Sequence, residues 1–358
     1  MSGIQEEATS LTKSLPKLDN IKTKFGFGIK DGRPPTPNAT PHPEDIETIT
    51  AKECLQNFNK FIDHEKPGLR SFYSEQQLEK LSVDAADMVN KLRKKKCGKE
   101  TSKQLSILCL YDLVMLIDDS SSMSDEEDGN RINILLKTMK KITMVYDLAR
   151  PAPDQGLVSV KFINCMKGYK NIDNRRVSHV LKKHAFWGTT QIGSALQKKV
   201  LDNFVFNPNA PMEKPLLVMT ITDGGPEGES KNHLRNVIDQ CVQKLEAQGG
   251  AGKDAVAFHF SRVGNDSGAA NLLADLDECC ESVDCLRAEY ALERLSDKES
   301  QWDVLPKLLL GAIVSTINQN DDEELGKAEK PPPVHVESLE DGIIELDDND
   351  SEGSDDDD

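Results

Sequence analysis

The sequence predicts an α/β protein built on a doubly wound, mostly parallel β-sheet. Short continuous apolar runs, such as Leu113–Ile117 and Leu216–Ile221, alternate along the chain with amphipathic helical segments. Strands that are apolar on both faces are typical of parallel sheets with helices on either side. Each of these two runs also ends abruptly in polar residues, which marks the carboxyl end of the strand. We expect five or six strands in all.

The order of elements follows from the same patterns. Between Glu47 and Lys96 the sequence predicts a helical extension, divided at Pro67-Gly68. Its second helix should begin at Ser74, because Ser74 and Gln77 can form a capping box and apolar residues follow at helical spacing. In the main domain we predict strands at 111–118, 157–163, 215–222 and 254–260, and helices at 130–149, 175–183, 191–205, 231–247, 268–276 and 302–317.

Composition divides the chain into four parts. These are a Pro/Thr-rich polar arm (1–45), the helical extension (46–104), the α/β domain (105–320) and an acidic tail (321–358). The arm and the tail have no sustained apolar period, so we expect both to be disordered. The tail has 17 acidic residues and two lysines, a net charge of −15, whereas the whole chain has −17. The remainder is close to neutral, which gives no case for nucleic-acid binding through charge.

Several features indicate an intracellular protein of the cytoplasm, the nucleus or both. The eight cysteines show no spacing typical of a disulfide framework or a structural zinc site, so we expect reduced thiols. The N-terminus lacks the charged and then apolar pattern of a signal segment. The longest apolar stretch, Leu308–Val314, is far shorter than the ~20 residues of a membrane span. We therefore expect a soluble protein with no membrane partner.

Three polar motifs follow one another at predicted strand-to-helix junctions. They are Asp118-x-Ser120-x-Ser122 after the first strand, Thr190 in a glycine-flanked loop, and Asp223-Gly224-Gly225 after a later strand. One such motif alone would be explained by helix capping. Three of them bring carboxylates and hydroxyls to the same edge of a parallel sheet. Hard oxygen donors of this kind suit Mg²⁺ or Mn²⁺ rather than zinc.

In this order the motifs resemble the metal-ion-dependent adhesion site of the von Willebrand factor A domain. The resemblance covers about residues 105–318 and implies a Rossmann-like fold. It also implies that Ser120, Ser122 and Thr190 are hydroxyl ligands, with Asp118 and Asp223 reaching the metal directly or through water. Ser121 stands where the family usually has glycine, but that position supplies no ligand. The segments LYDLVMLIDDS, ITDGGP and RVGNDSGA are also similar to a group of fungal intracellular proteins with this domain.

The resemblance implies a non-enzymatic interaction module that binds a Glu or Asp carboxylate of a protein partner through Mg²⁺ or Mn²⁺. Neutral hydroxyl ligands leave the ion electrophilic, with an open position for that carboxylate. One alternative is a metal-dependent hydrolase or phosphatase on the same cleft. No catalytic or organic-cofactor residue is predicted, because Ser120 replaces the second aspartate of such phosphatases and no histidine lies in a triad-like setting. Another alternative is a scaffold that acts mainly through its tail.

Three aliphatic residues, Ile343, Ile344 and Leu346, interrupt the acidic tail. A short aliphatic strand flanked by carboxylates resembles a SUMO-interacting motif, which pairs with a sheet edge by β-augmentation. A chance apolar cluster in an acidic tail explains the pattern equally well, because motifs this short recur by accident. SUMO is therefore a possible second partner.

Overall fold

The computed structural model describes residues 47–150, 157–264, 266–279, 283–286 and 301–315, together with Leu292, Leu295 and Ile317. The arm (1–45) and the tail (321–358) lie outside the described residues, and so do Ile343, Ile344 and Leu346. The disorder and the SUMO binding expected for these segments stay predictions.

Six strands form a single sheet in the order β3-β2-β1-β4-β5-β6. They are β1 Asp112–Ile117, β2 Leu157–Phe162, β3 Tyr169–Ile172, β4 Leu216–Thr222, β5 Val256–Arg262 and β6 Val283–Leu286. Every neighbouring pair is parallel except β2 and β3, which are antiparallel. The predicted mostly parallel α/β fold is confirmed. The strand order reverses between β1 and β4, where sheets of this kind place their ligand sites.

Helices connect and cover the strands. The α-helices are α1 Ala51–His64, α2 Glu75–Lys94, α3 Lys99–Leu105, α4 Ser122–Asp125, α5 Asn130–Ala149, α6 Asn174–Lys182, α7 Ile192–Ala195, α8 His233–Gln248, α9 Ser267–Cys279 and α10 Gln301–Leu310. Helix α7 continues into a π-helical stretch, Leu196–Val205. Short 3₁₀ turns lie at Pro67–Ser71, Ser106–Leu110, Glu127–Gly129 and Gly252–Ala255. A capping box of Ser74 and Gln77 begins α2 as predicted.

The two faces of the sheet bury separate apolar clusters. Successive side chains of a strand point to opposite faces, and in β1 Leu113 and Met115 join one cluster whereas Val114 and Leu116 join the other. The helices that contribute to the first cluster include α1, α2, α5, α6 and α10. Those that contribute to the second are α7, its π-helical continuation, α8 and α9. Helices thus cover both faces, as the continuous apolar runs predicted.

The helical extension belongs to the first of these clusters. Met88 of α2 is fully buried and its sulfur lies 3.8 Å from the Cys109 sulfur. The Tyr73 hydroxyl donates to the carbonyl of Leu110, and the Tyr146 hydroxyl of α5 donates to the carbonyl of Tyr111 at 2.7 Å. The polar ends of both rings are therefore satisfied at the beginning of β1. Extension and sheet share one continuous core.

Two strands were not placed by the sequence patterns. In β3 only Ile172 is buried, so its sequence lacks the alternation of a half-buried strand, as suits a short edge strand. Strand β6 is only four residues long. The last helix was expected to run to about residue 317, but α10 ends at Leu310, before Gly311.

Within the described residues no helix is both long and apolar enough to cross a membrane. Six described cysteines, among them Cys54 and Cys241, form no disulfide.

Candidate metal centre

The predicted site lies where the strand order reverses. Asp118 directly follows β1 and Asp223 directly follows β4, the strand beside it. The backbone N–H of Asp118 donates to the Ile221 carbonyl at 2.9 Å, which extends the pairing of the two strands to their ends. Both carboxylates are fully buried. The ends of two central parallel strands therefore bring together carboxylates that are 105 positions apart in the sequence numbering.

Four of the five predicted ligand residues form one hydrogen-bonded group. The Ser120 and Ser122 hydroxyl oxygens are 3.0 Å apart, and the Ser122 hydroxyl donates to Asp223 Oδ1 at 3.0 Å. The backbone N–H of Ser120 donates to Asp118 Oδ1 at 2.9 Å. This last bond turns the chain tightly after β1, so that all the oxygens converge on one point of the sheet edge.

Thr190 reaches this group from a different loop. Thr190 is buried, whereas the neighbouring Thr189 is exposed. The Thr190 carbonyl accepts a hydrogen bond from the backbone of Glu227 at 3.0 Å. Its hydroxyl oxygen would be 3.8 Å from a Cβ added to Gly224, the residue after Asp223. Thr190 thus lies beside the carboxyl end of β4. Within the described residues, its side chain forms no hydrogen bond with the other four predicted ligands.

Burial leaves the two carboxylates poorly compensated. Burial raises the pKa of Asp118 to about 6, and the neighbouring charge of Asp223 adds to the rise, although the Thr222 hydroxyl opposes it by donating to Asp118 Oδ2 at 2.6 Å. Burial also raises the pKa of Asp223, against the effect of Arg131 and Ser122. Both shifts mean that the folded environment disfavours the ionised form of each carboxylate. Another positive charge at this point would be stabilising.

Arg131 is the cation that the sequence does not single out. Its side chain is 1% exposed, and its Nη1 lies 2.7 Å from Asp223 Oδ2. Two further carboxylates from the preceding turn complete its surroundings, Glu126 at 2.5 Å and Glu127 at 3.2 Å. A Cβ added to Gly264, where φ is +78°, would lie 2.4 Å from Arg131 Nε, so the glycine makes room for the guanidinium. The available signal was a charged residue on the buried stripe of α5.

Asp119, the second residue of the first motif, orders the surrounding loops. Its carboxylate accepts hydrogen bonds from the backbone N–H groups of Asn164 and Cys165 at 2.7 and 3.1 Å, and lies 2.8 Å from His184 Nε2. Burial alone would raise the pKa of Asp119, but these hydrogen bonds outweigh it and the pKa is lowered. His184 stacks on Phe162 with ring centroids 3.5 Å apart. Asp119 therefore joins the loop after β1 to the segments that lead toward Thr190.

A Ser-His-Asp chain occurs elsewhere in the sheet. His259 Nδ1 lies 2.7 Å from Asp284 Oδ2 and its Nε2 lies 2.8 Å from the Ser261 hydroxyl. The expectation that no histidine has a triad-like setting was wrong in geometry. His259 and Ser261 are each 1% exposed, so a substrate has no access to the hydroxyl. These three side chains form a buried, hydrogen-bonded polar network between β5 and β6.

The donor set of the candidate centre consists of oxygen atoms alone. In the part of the chain that the structure describes, no three His, Cys, Asp or Glu side chains are grouped in a way that could hold a metal ion. The candidate centre has only two carboxylates, and its other predicted donors are hydroxyls. Such a set fits a hard cation with several water ligands better than zinc. The two raised carboxylate pKa values are consistent with this fit.

Comparison with known proteins gives likeness to solved structures only. No family model matches the sequence, and no curated protein matches it. A von Willebrand factor type A protein from Catenulispora acidiphila is 16% identical, covering 54% of this chain and 42% of its own, with a TM-score of 0.33. Proximal thread matrix protein 1 from the mussel byssus is 18% identical, covering 56% and 47%, with a TM-score of 0.36.

A third match is the manganese-loaded TRAP protein of Plasmodium vivax. It is 17% identical, covering 52% of this chain and 72% of its own, with a TM-score of 0.35. The chain thus spans less than half the length of the first two proteins. All three TM-scores are below 0.5, so these matches do not assign the chain to a family. What the structure itself has is a six-stranded, mostly parallel sheet, with the candidate centre where its strand order reverses.

Proposed function

We propose that this domain is a non-enzymatic protein-interaction module that binds Mg²⁺ or Mn²⁺ at the β1/β4 edge and captures a carboxylate of a partner protein. The observation that supports it is the convergence of Asp118, Ser120, Ser122 and Asp223 in one hydrogen-bonded group. The folds of this class commonly serve protein–protein interaction. The intracellular location expected from the sequence is part of the proposal.

The residues divide into two roles. Ser120, Ser122 and Thr190 would hold the ion through neutral oxygens, while Asp118 and Asp223 supply negative charge. Both oxygens of each carboxylate already accept hydrogen bonds: those of Asp118 from the Ser120 backbone N–H and the Thr222 hydroxyl, and those of Asp223 from Ser122 and Arg131. A bound divalent ion would supply an electrophilic position that takes an anionic oxygen from outside. The buried walls would strengthen that attraction by keeping water from screening it.

Metal binding is tested by calorimetric titration of the full chain with Mg²⁺ and Mn²⁺. The test variant is Ser122→Ala, which removes a hydroxyl from the candidate centre. The matched control is Ser124→Ala in the same short helix, since the Ser124 hydroxyl bonds to the Ser121 carbonyl and Asp125. We expect about tenfold weaker binding or more in Ser122→Ala, a loss of ~1.4 kcal/mol, and wild-type binding in the control. Equal affinity in both variants would remove Ser122 from the site.

Carboxylate capture is tested separately. The full chain is immobilised and exposed to a library of peptides that contain single Glu or Asp residues, in Mg²⁺ and in EDTA. Binding that needs both the acidic residue and the metal supports the proposal, and so does its loss in Ser122→Ala. Peptide binding that persists unchanged in EDTA would contradict it.

A further inference from the structure

A strongly basic surface lies beside the candidate metal centre. Residues 161–184 contain seven lysines and arginines but only one acidic residue, Asp173. Asp173 is already engaged, because it accepts from the backbone N–H of Arg176 at 3.0 Å at the start of α6 and pairs with Arg175 at 3.2 Å. Six of the basic residues are exposed, and we call them the basic face: Lys167, Lys170, Arg175, Arg176, Lys182 and Lys183.

Two residues of the basic face, Lys167 and Lys183, line a pocket that also has aromatic side chains in its walls. The pocket has a volume of about 530 Å³, and Lys167, Lys183, Tyr169 and Trp187 are among its lining residues. None of its eight lining residues, all within the described chain, is acidic. Trp187 is 56% exposed and the nearby Met166 is 86% exposed, although both are large apolar residues. This combination suits a ligand that is anionic and also carries aliphatic side chains.

The pocket is close to the candidate metal centre. The backbone N–H of Trp187 donates to the Asp119 carbonyl at 2.7 Å, and the backbone N–H of Ser121 donates to the Gly188 carbonyl at 3.4 Å. The loop that carries Trp187 therefore packs directly on the first metal motif. An occupant of the pocket would lie next to the position at which a partner carboxylate is expected.

We propose that the acidic tail of this same chain, residues 321–358, docks on the basic face, with Ile343 and Ile344 against Trp187 and Met166. The charges are complementary, since the tail has a net charge of −15 and residues 161–184 have seven cations against one anion. The tail also contains two aliphatic residues, Ile343 and Ile344, that could cover the exposed side chains of Trp187 and Met166. This inference does not depend on metal binding or on a partner protein.

The tail begins close enough to reach the basic face. Ile317, the last described residue, is buried in the core that α5 and α10 share. Helix α5 contacts α10 through Lys141 Nζ and Gln301 Oε1 at 2.7 Å, and it contacts α6 through Asp147 and the backbone of Asn174 at 3.1 Å. Helices α10 and α6 therefore both pack against α5. A flexible segment of the tail's length has a mean end-to-end distance of roughly 30–35 Å, which is ample.

Zero-length carbodiimide cross-linking of the full chain tests the docking. The reagent joins lysine amines to carboxylates that touch them. We expect tail carboxylates to be linked to Lys167, Lys170, Lys182 and Lys183 at least about fivefold more often than to Lys52 and Lys60, because docking raises the local concentration of the tail. Lys52 and Lys60 are also exposed but lie on α1. The preference should fall toward equality in ~0.5 M salt, which screens charges beyond a few ångströms.

Two results of the cross-linking would overturn the proposal. One is an equal yield at basic-face and α1 lysines in low salt. The other is cross-linking between copies in a mixture of ¹⁴N- and ¹⁵N-labelled chains. Products that join one label to the other would mean that the tail binds a second copy instead of its own domain. Charge reversal at Lys167 and Lys183 should abolish the preferred links, whereas reversal at Lys52 and Lys60 should leave them.

A fluorine resonance reports on the aliphatic part of the contact. The chain has two tryptophans, Trp187 and Trp302, which can be labelled with 5-fluorotryptophan and assigned by Trp187→Phe. We expect Ile344→Ser in the tail to move the Trp187 resonance and to leave that of the buried Trp302 in place. Val334→Ser, elsewhere in the tail, is the matched control and should move neither. An unchanged Trp187 resonance in Ile344→Ser would refute the contact.

Discussion

Replacing Arg131 by leucine should destabilise the metal-free protein and strengthen its binding of Mg²⁺. Arg131 and Asp223 are 1% and 0% exposed, so the substitution leaves a buried carboxylate without its cation. Removing one partner of a buried ion pair costs about 3–5 kcal/mol. Glu126 and Glu127, which are 56% and 32% exposed, can hydrate instead. We therefore expect a loss near the lower end, about 3 kcal/mol in the free energy of unfolding.

The same substitution removes a positive charge that repels a divalent ion. Affinity for Mg²⁺ should rise by about tenfold, equivalent to ~1.4 kcal/mol, so that the metal restores part of the lost stability. Urea unfolding with and without Mg²⁺ measures both effects. The control is Arg150→Leu at the other end of α5: its partner Asp112 is 31% exposed and can hydrate, so we expect a loss of about 1 kcal/mol in either buffer.

Equal or greater stability of Arg131→Leu relative to Arg150→Leu in EDTA would contradict the first expectation. Affinity of Arg131→Leu for Mg²⁺ that is no higher than that of the wild type would contradict the second. Either result would mean that the guanidinium does not compensate Asp223 in the folded protein.

Three further predictions concern other parts of the molecule. Burial raises the pKa of Asp147 to about 6, above its unfolded value. Its protonated form therefore favours folding at low pH, and that advantage is lost as pH rises through about 6. Asp147→Asn should then gain roughly 1 kcal/mol at pH 7 and nothing at pH 4 in urea unfolding, a figure reduced for partial exposure. Gly193→Ala should destabilise the domain by about 1–3 kcal/mol in thermal unfolding, because a Cβ there would lie 2.8 Å from the Leu234 backbone nitrogen; a wild-type melting temperature would contradict this. A tail peptide spanning residues 337–358 should shift the sheet-edge resonances of labelled SUMO with an affinity of tens of micromolar, and Ile344→Ala should abolish the shifts; equal shifts for both peptides would mean a chance cluster.

The sequence was sufficient to place the elements that are buried on both faces. Strands β1 and β4 are central, so their apolar runs are continuous and their ends were correct to within one residue. Strand β3 could not be found in this way, because an edge strand that buries only Ile172 needs no apolar pattern. Strand β5 begins at Val256 rather than 254, since a 3₁₀ turn occupies Gly252–Ala255.

The candidate centre was predictable for a related reason. Its polar residues directly follow apolar strands, so local sequence marks them and the parallel sheet brings them together. The sequence could mark Arg131 as a charge on the buried stripe of α5, but not its contact with Asp223 or that of Asp119 with His184. Both contacts depend on how α5 and a distant loop pack over the strand ends. Asp119 and His184 are 65 positions apart, and neither lies in a local pattern that indicates the other.

The common core of the helical extension and the sheet has a consequence for local motions. Helix α2 buries Leu78, Met88 and Leu92 completely, in the cluster that also contains Met115 of β1. Backbone amides exchange with solvent only when their segment opens, and segments that share a core open together. The amides of α2 should therefore exchange as slowly as those of β1, far more slowly than those of the exposed edge strand β3. A fragment that began at residue 105 would lack this cover, and its β1 amides should lose their protection.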